Sequence, residues 1–138
     1  MTPRPGRVEI AVRTQGREEI LDITGSINDA LSSLALADGA VLLFCPHTTA
    51  ALTVNEVADP AVRADVSSAL AKIVPDVAFR HTEGNSAAHL KAALLGPSLL
   101  LPVAARKLAL GTWQGIYFCE FDGPRERQVW AFPLHWPL

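Results

Sequence analysis

Three polar clusters interrupt an otherwise apolar chain, and each carries side chains able to bind or transform a small charged molecule. The first is HTTAALTVNE, residues 47–56, which sets His47, Thr48 and Thr49 directly after the apolar run 41–45 and brings Asn55 and Glu56 a few residues later. His47 follows Cys45 by two positions, so on a continuing strand both side chains face one way. The hydroxyls of Thr48 and Thr49 either orient a ligand or bond the local backbone, which is the commoner use of threonines in such a place. The second cluster is HTEGNSAAHLK, residues 81–91, where His81 and His89 bracket a polar turn containing Glu83, Gly84 and Asn85. With Asn85 or Ser86 capping a helix, His89 falls in its first turn, and the positive helix end favours the neutral imidazole that binds metal. The same helix start can cradle a phosphate with Lys91 nearby. Two histidines at this spacing match no common zinc pattern, however, and a pair of polar surface histidines is the plain alternative.

The third cluster is GTWQGIYFCEFDGPRER, residues 111–127. Thr112 and Gln114 lie in a turn bracketed by Gly111 and Gly115. Glu120 points opposite to Cys119 along its strand, so an inward Glu120 is a buried carboxylate that requires a partner, with Arg125 or Arg127 available. From spacing alone, Asp122-Gly123-Pro124-Arg125 reads first as an ordinary hairpin turn with solvated arginines. His135, beside Trp136, reads as surface packing.

The elements that must position these residues follow from periodicity. Val8, Ile10 and Val12 alternate with Glu9, Ala11 and Arg13, and 20–23 resumes after Gln15-Gly16, which predicts an opening antiparallel hairpin. Ile27, Leu31 and Leu34 recur at helical spacing, with Thr24 or Ser26 as cap and Asp38-Gly39 as the left-handed stop. Residues 41–45 read as a central strand and 51–54 as a shorter one. Asp59 at N-cap, Pro60 at the first helical position and the stripe Val62, Val66, Leu70, Ile73 predict a second helix that Pro75 ends. A short third helix over 87–95 stops at Gly96-Pro97, and strands over 98–103 with an extension to 110, 115–121 and 128–132 close the chain. The last two are expected to form a hairpin through Asp122-Gly123-Pro124.

This order predicts an α+β fold, a single domain over 1–138 in which a mixed, largely antiparallel sheet packs as a two-layer sandwich with helices on one face. Apolar residues on the other face then need a second cover, which association with other copies would supply. A chain of 138 residues with 49% hydrophobic residues can build one proper core. Its net charge of -2, spread over both signs, provides no basic footprint for nucleic acid and no polybasic membrane anchor. No apolar stretch is long enough to span a membrane and the amino terminus lacks a signal-peptide core, so the expected location is cytoplasmic. Cys45 and Cys119 sit in apolar runs without CxxC spacing and read as small buried thiols.

HTTAALTVNE followed by ADPAVRADV, then NSAAHLKAALLGPSLLLPV, then GTWQGIYFCEFDGPRER resembles the YjbQ-like family over nearly the whole chain. That family is associated with a secondary thiamine-phosphate synthase activity. The resemblance implies a compact α+β fold that assembles as a homotrimer, with a small cleft lined by the motif histidines. By position, the family's shared polar residues fall on His47, Thr48, Thr49, Asn55 and Glu56, on His81, Asn85 and His89, and on Thr112, Gln114, Glu120 and Arg125. The segment between His81 and Asn85 is shorter than in some relatives, and Glu83 is the candidate replacement for a ligand or acid carried by the longer turn.

The implied reaction joins hydroxymethylpyrimidine diphosphate to a thiazole phosphate and releases pyrophosphate. It requires positive charge on the leaving group and positioning of both partners, without a strong protein nucleophile. On this reading His47, His81 and His89 hold a divalent metal, zinc or magnesium, with one coordination position open. Thr48, Thr49, Asn85, Lys91, Thr112, Gln114 and Arg125 bind the phosphorylated substrate, while Glu56, Glu120 and Asn55 supply catalytic groups. Two other functions suit the same residues: a metal-dependent hydrolase with Glu56 or Glu120 as base, and a non-enzymatic trimeric module that holds a phosphorylated metabolite.

Overall fold

Alternation along Val8, Ile10 and Val12 makes one side of a strand apolar, and burying that side requires a second layer. The computed structural model, which describes residues 1–4 and 6–136, forms this strand and supplies that layer from a second sheet. The elements run β1 (Thr2–Arg4), β2 (Arg7–Arg13), β3 (Glu19–Asp22), α1 (Thr24–Ser33), β4 (Gly39–Phe44), β5 (Ala50–Glu56), α2 (Pro60–Ile73), α3 (Ser86–Leu95), β6 (Ser98–Ala104), β7 (Lys107–Leu108), β8 (Gln114–Glu120) and β9 (Glu126–His135). A six-stranded sheet has the order β1-β2-β9-β4-β6-β7, and a three-stranded sheet the order β3-β8-β5. The pairings are antiparallel throughout. The α+β class therefore stands, with the strands divided between two sheets.

Two cores define the layering. Val8, Ile10, Val41, Leu43, Val129 and Ala131 of the larger sheet meet Leu52, Ile116 and Phe118 of the smaller one, and Ile27 and Leu31 of α1 complete that interior. On its other face the smaller sheet turns Ile20, Ala51, Tyr117 and Cys119 toward Leu70 of α2 and Ala88 and Ala92 of α3. The small sheet is thus the middle layer, and β8 is buried along almost its whole length, as a strand covered on both faces must be. Only α2 and α3 share a face; α1 fills the first core. Among the described residues no helix lies over the outer face of the larger sheet: Leu42 stands between Leu100 and Phe132 there, and Leu100 is 67% exposed. No helix among the described residues is long and apolar enough to cross a membrane.

Both expected hairpins are instead crossings between sheets. β2 belongs to the larger sheet and β3 to the smaller; β8 belongs to the smaller and β9 to the larger. The two crossings lie side by side, joined by Thr14 N to Arg125 O (3.0 Å) and Gly123 N to Arg17 O (2.9 Å). Gly123 is required there, because a Cβ would approach Gly16 O to 2.3 Å. Turn residues mark where a chain bends, while the burial demand of each strand decides where it goes next.

Helix ends divide the same way. Asp59 caps α2 by accepting from Ala61 N at 2.9 Å, with Pro60 behind it. Of the expected stripe, Leu70 is buried and Ile73 is exposed, since α2 covers only part of the small sheet. At α1 neither Thr24 nor Ser26 is the cap. Ile23 occupies that position, and Asp22 accepts from Thr24 N (3.0 Å) and its hydroxyl (2.6 Å) instead. The left-handed stop falls at Ala35, before Asp38-Gly39. Asn85 occupies the N-cap of α3, which starts at Ser86. Beyond β6, the expected extension is a tight reversal at Ala105 and Arg106, both at positive φ, into β7.

Candidate functional site

The ladder between β4 and β9 ends at the pair Phe44 and Trp130. Two residues earlier on β9, the backbone N–H of Gln128 has no strand carbonyl left to meet, and the chain leaving β4 supplies a side chain in its place. Gln128 N donates to Nε2 of His47 at 2.9 Å. A peptide N–H can only donate, so Nε2 must present its lone pair and the ring proton resides on Nδ1. Burial, reinforced by the charge of Arg127, holds the His47 pKa below its ordinary value and keeps the ring neutral. His47 is therefore a fixed tautomer whose free donor is Nδ1–H.

Beside it lies a buried ion pair. Glu120 is fully buried; Oε1 accepts from Thr14 Oγ1 (2.7 Å) and Arg127 Nε (2.8 Å), and Oε2 accepts from Arg127 Nη2 and from Asp122 N (3.1 Å). Burial raises the Glu120 pKa, but the bonds from Arg127, Thr14 and Asp122 outweigh it and leave the pKa below the ordinary carboxylate value. Arg127 also donates from Nη2 to Thr49 Oγ1 at 2.8 Å. Thr49 thus bonds Arg127, not the local backbone, and the pair ties the 47–49 turn to β8 and β9. Glu120 has every acceptor engaged and is sealed from solvent, which suits a structural anchor better than a general base.

The third wall is the start of α3. Asn85 Nδ2 donates to Asp122 Oδ2 (2.9 Å), and Arg125 Nη2 donates to the same oxygen (3.0 Å). Burial raises the Asp122 pKa, yet these two bonds prevail and it lies below its ordinary value. Asn85 Oδ1 is buried without a hydrogen-bond partner. Together these residues border an open cleft of about 330 Å³ lined by Pro46, His47, Thr48, Thr49, Glu83, Asn85, His89, Asp122, Arg125 and Arg127. His81 is not among the lining residues: Nδ1 is 2.8 Å from Ser86 Oγ, and its ring meets His89 edge to face at 5.2 Å between centroids.

The three-histidine metal site does not fit this arrangement. His47 has committed its one lone pair to Gln128, and His81 has one nitrogen on Ser86 and the other 3.8 Å from Glu83. No group of three or more His, Cys, Asp or Glu side chains among the described residues is placed to share an ion. The cleft is lined by possible donors, His47, Thr48, His89 and Arg125, and by the carboxylates of Glu83 and Asp122, of which Asp122 is already bonded to Asn85 and Arg125; at the start of α3 the leading N–H groups have no helical acceptor. With Asp122 compensated by those two donors, the set can take an anion.

The remaining candidates lie elsewhere. Glu120 pairs with Ala50 at one end of the small sheet, while Asn55 and Glu56 pair with Gly115 and Gln114 at the other. Six residue steps of strand separate these ends by roughly 20 Å. Gln114 accepts from Gly111 N (2.9 Å) and closes the 111–114 turn, so Asn55, Glu56, Thr112 and Gln114 form a group distinct from the cleft. Lys91 is buried and donates to Glu18 at 2.9 Å, facing a neighbouring hollow with Arg17 and Asp76. Asp122, Thr14 and Gln128 escaped sequence reasoning, because a turn aspartate and two strand-end polar residues carry no local mark of their role. Of the two arginines weighed as partners for Glu120, Arg127 takes that place and Arg125 pairs with Asp122.

The antiparallel two-sheet α+β scaffold defines a structural class with solved members. One is a YjbQ/UPF0047 family protein from Clostridium acetobutylicum, with TM-score 0.86 and 46% identity, covering 90% of this chain and 97% of that one. Another, from Aeropyrum pernix K1, has TM-score 0.87 and 37% identity, covering 94% and 98%. The family model for UPF0047 protein YjbQ-like matches residues 8–134, and the chain belongs to this family. Among its relatives, the UPF0047 protein YugU of Bacillus subtilis is 46% identical over 120 residues, which is 86% of this chain and 91% of YugU. A UPF0047 protein of Archaeoglobus fulgidus is 45% identical over 125 residues, covering 88% and 96%.

Proposed function

We propose that the cleft binds a small phosphorylated metabolite and that the protein carries out a thiamine-phosphate synthase-like transfer with it. The observation that supports this reading is His47 lining the cleft with Nδ1–H as its remaining donor, a tautomer that the Gln128 N–H fixes, beside Thr48, His89 and the Asp122-bonded Arg125. In the transfer, the bond from the pyrimidine methylene carbon to the diphosphate oxygen breaks and its electron pair leaves with pyrophosphate. The thiazole nitrogen lone pair forms the new carbon–nitrogen bond. Charge develops on the departing oxygen, where Arg125, His47 and the α3 amides stabilise it, and the remaining work is alignment of the two rings. No protein nucleophile is involved. The fixed dipoles of His47 and α3 require no reorganisation at the moment of reaction, which favours catalysis over mere storage.

Isothermal titration with inorganic pyrophosphate, alongside an assay for thiamine phosphate formed from the two phosphorylated precursors, tests the proposal. Wild type should bind pyrophosphate, and Arg125→Ala should weaken binding at least about tenfold through loss of a charged hydrogen bond. Absence of pyrophosphate binding at millimolar concentration would refute the anion cleft. Binding without turnover would leave a metabolite-holding module.

A further inference from the structure

Lys91 is buried, 4% exposed, on the side of α3 that sends Ala88 and Ala92 into the second core. An ammonium group placed on an apolar helix face loses its water and requires compensation. Its Nζ donates to Glu18 Oε1 at 2.9 Å, and among the described residues it makes no other hydrogen bond, which leaves two of an ammonium's three protons unused. Lys91 lines a hollow of about 230 Å³ with Arg17, Glu18, Asp76, Asn85 and Phe121, while alanines of α2 and α3 and Val74 supply its apolar wall. Arg17 and Asp76 are exposed, and among the described residues neither side chain has a hydrogen bond or ion pair. Glu18 engages only Oε1 in its bond to Lys91 and keeps Oε2 available. Charges of both signs therefore stand in equal number around one small space, each with capacity left over. A simple anion would meet two carboxylates there, and a simple cation two positive groups. A ligand that carries both signs a few ångströms apart is matched on every side.

We propose that this hollow binds an aliphatic α-amino acid as its zwitterion. The carboxylate accepts from Lys91 Nζ and the Arg17 guanidinium, and the ammonium donates to Asp76 and to Glu18 Oε2. A short hydrocarbon side chain lies on the alanines, Val74 and Phe121, whose ring centroid is 5.8 Å from Lys91 Nζ. The hollow shares Asn85 with the cleft as a common wall but has its own charged groups, so filling it does not require an anion in the cleft.

Calorimetric titration of the full chain with L-valine, glycine, isovalerate and isobutylamine tests this, the last two being valine without its ammonium and without its carboxylate. L-valine should bind at least about tenfold more tightly than either half, since each half forfeits one set of charged hydrogen bonds. It should also bind about tenfold more tightly than glycine, which leaves the apolar wall uncovered. Asp76→Asn, at an exposed position, should weaken L-valine about fivefold and leave pyrophosphate binding unchanged. Lys91→Met, which keeps the reach of the side chain and removes its charge, should abolish L-valine binding in a protein still folded by circular dichroism. Equal affinity for L-valine and glycine, or for L-valine and either half, overturns the assignment, as does full L-valine affinity in Asp76→Asn. Binding of isovalerate alone would make the hollow an anion site instead. No binding of L-valine at about 10 mM also overturns it, while the pyrophosphate titration still decides the cleft separately.

Discussion

Replacing Glu120 by glutamine changes one atom and no volume, yet it should be among the most damaging single substitutions in the protein. The wild-type carboxylate accepts four hydrogen bonds, from Thr14 Oγ1, Arg127 Nε, Arg127 Nη2 and Asp122 N. A glutamine keeps one acceptor oxygen and turns an NH₂ group toward donors, so the bonds at one of the two oxygens are lost and replaced by donor-to-donor contact. The Arg127 side chain, 5% exposed, is then a buried cation without its counter-charge. Breaking one half of a buried pair costs about 3–5 kcal/mol. Urea unfolding followed by tryptophan fluorescence, at fixed protein concentration, measures this. The double variant Glu120→Leu/Arg127→Met should recover much of the loss, because it leaves no charge behind. The pH dependence provides a second readout. The Glu120 pKa is lower in the folded state than its ordinary 4.5, so its stabilising contribution is present above that value and disappears as pH falls through the folded one. Glu120→Gln should flatten that acid limb. A Glu120→Gln protein within about 1 kcal/mol of wild type, or a double variant no more stable than the single, would refute the reasoning.

Three further outcomes are expected. Asp59→Ala should destabilise the fold by about 1 kcal/mol through loss of the bond to Ala61 N, with pyrophosphate binding unchanged; unchanged stability with lost binding would assign Asp59 to the site. The His47 pKa is lower in the folded state than its ordinary 6.5, so stability should decline as pH falls below 6.5, where the unfolded chain takes up the proton first. His47→Gln, which retains an acceptor for Gln128 N but does not titrate, should abolish that slope, and an unaltered slope would place its origin elsewhere. Light scattering at low micromolar concentration should report a homotrimer, formed through the bare outer face of the larger sheet around Leu42, Leu100 and Phe132; a monomer would remove that assignment.

What could be read from the sequence was whatever is encoded over a few residues. Asp59-Pro60 specifies its helix start locally, and Val8, Ile10 and Val12 specify which side of β2 is buried. Neither says which strand comes alongside. The division into two sheets was foreshadowed in 116–119, where consecutive apolar residues mark a strand covered on both faces, but the turn residues Asp122-Gly123-Pro124 suggested a hairpin more strongly. In the site, proximity along the chain misled in one case: Asn55 and Glu56 belong to the same motif as His47, and an extended strand carries them to the opposite end of the small sheet. His47 does line the cleft, while its tautomer depends on Gln128, 81 residues away, which no local pattern reveals.

The position of β9 bears on how the protein is made. It follows every other described strand in the chain yet lies between β2 and β4 in the sheet, pairing Val8 with Ala131 and Leu43 with the same residue. Until it emerges from the ribosome, the larger sheet can exist only as two unconnected pieces, β1-β2 and β4-β6-β7, each with an open edge. Gln128 and Arg127 arrive on that same strand, so a nascent chain has neither the fixed tautomer of His47 nor the anchor of Glu120. The cleft, as a structure, comes into being in the same step that closes the sheet.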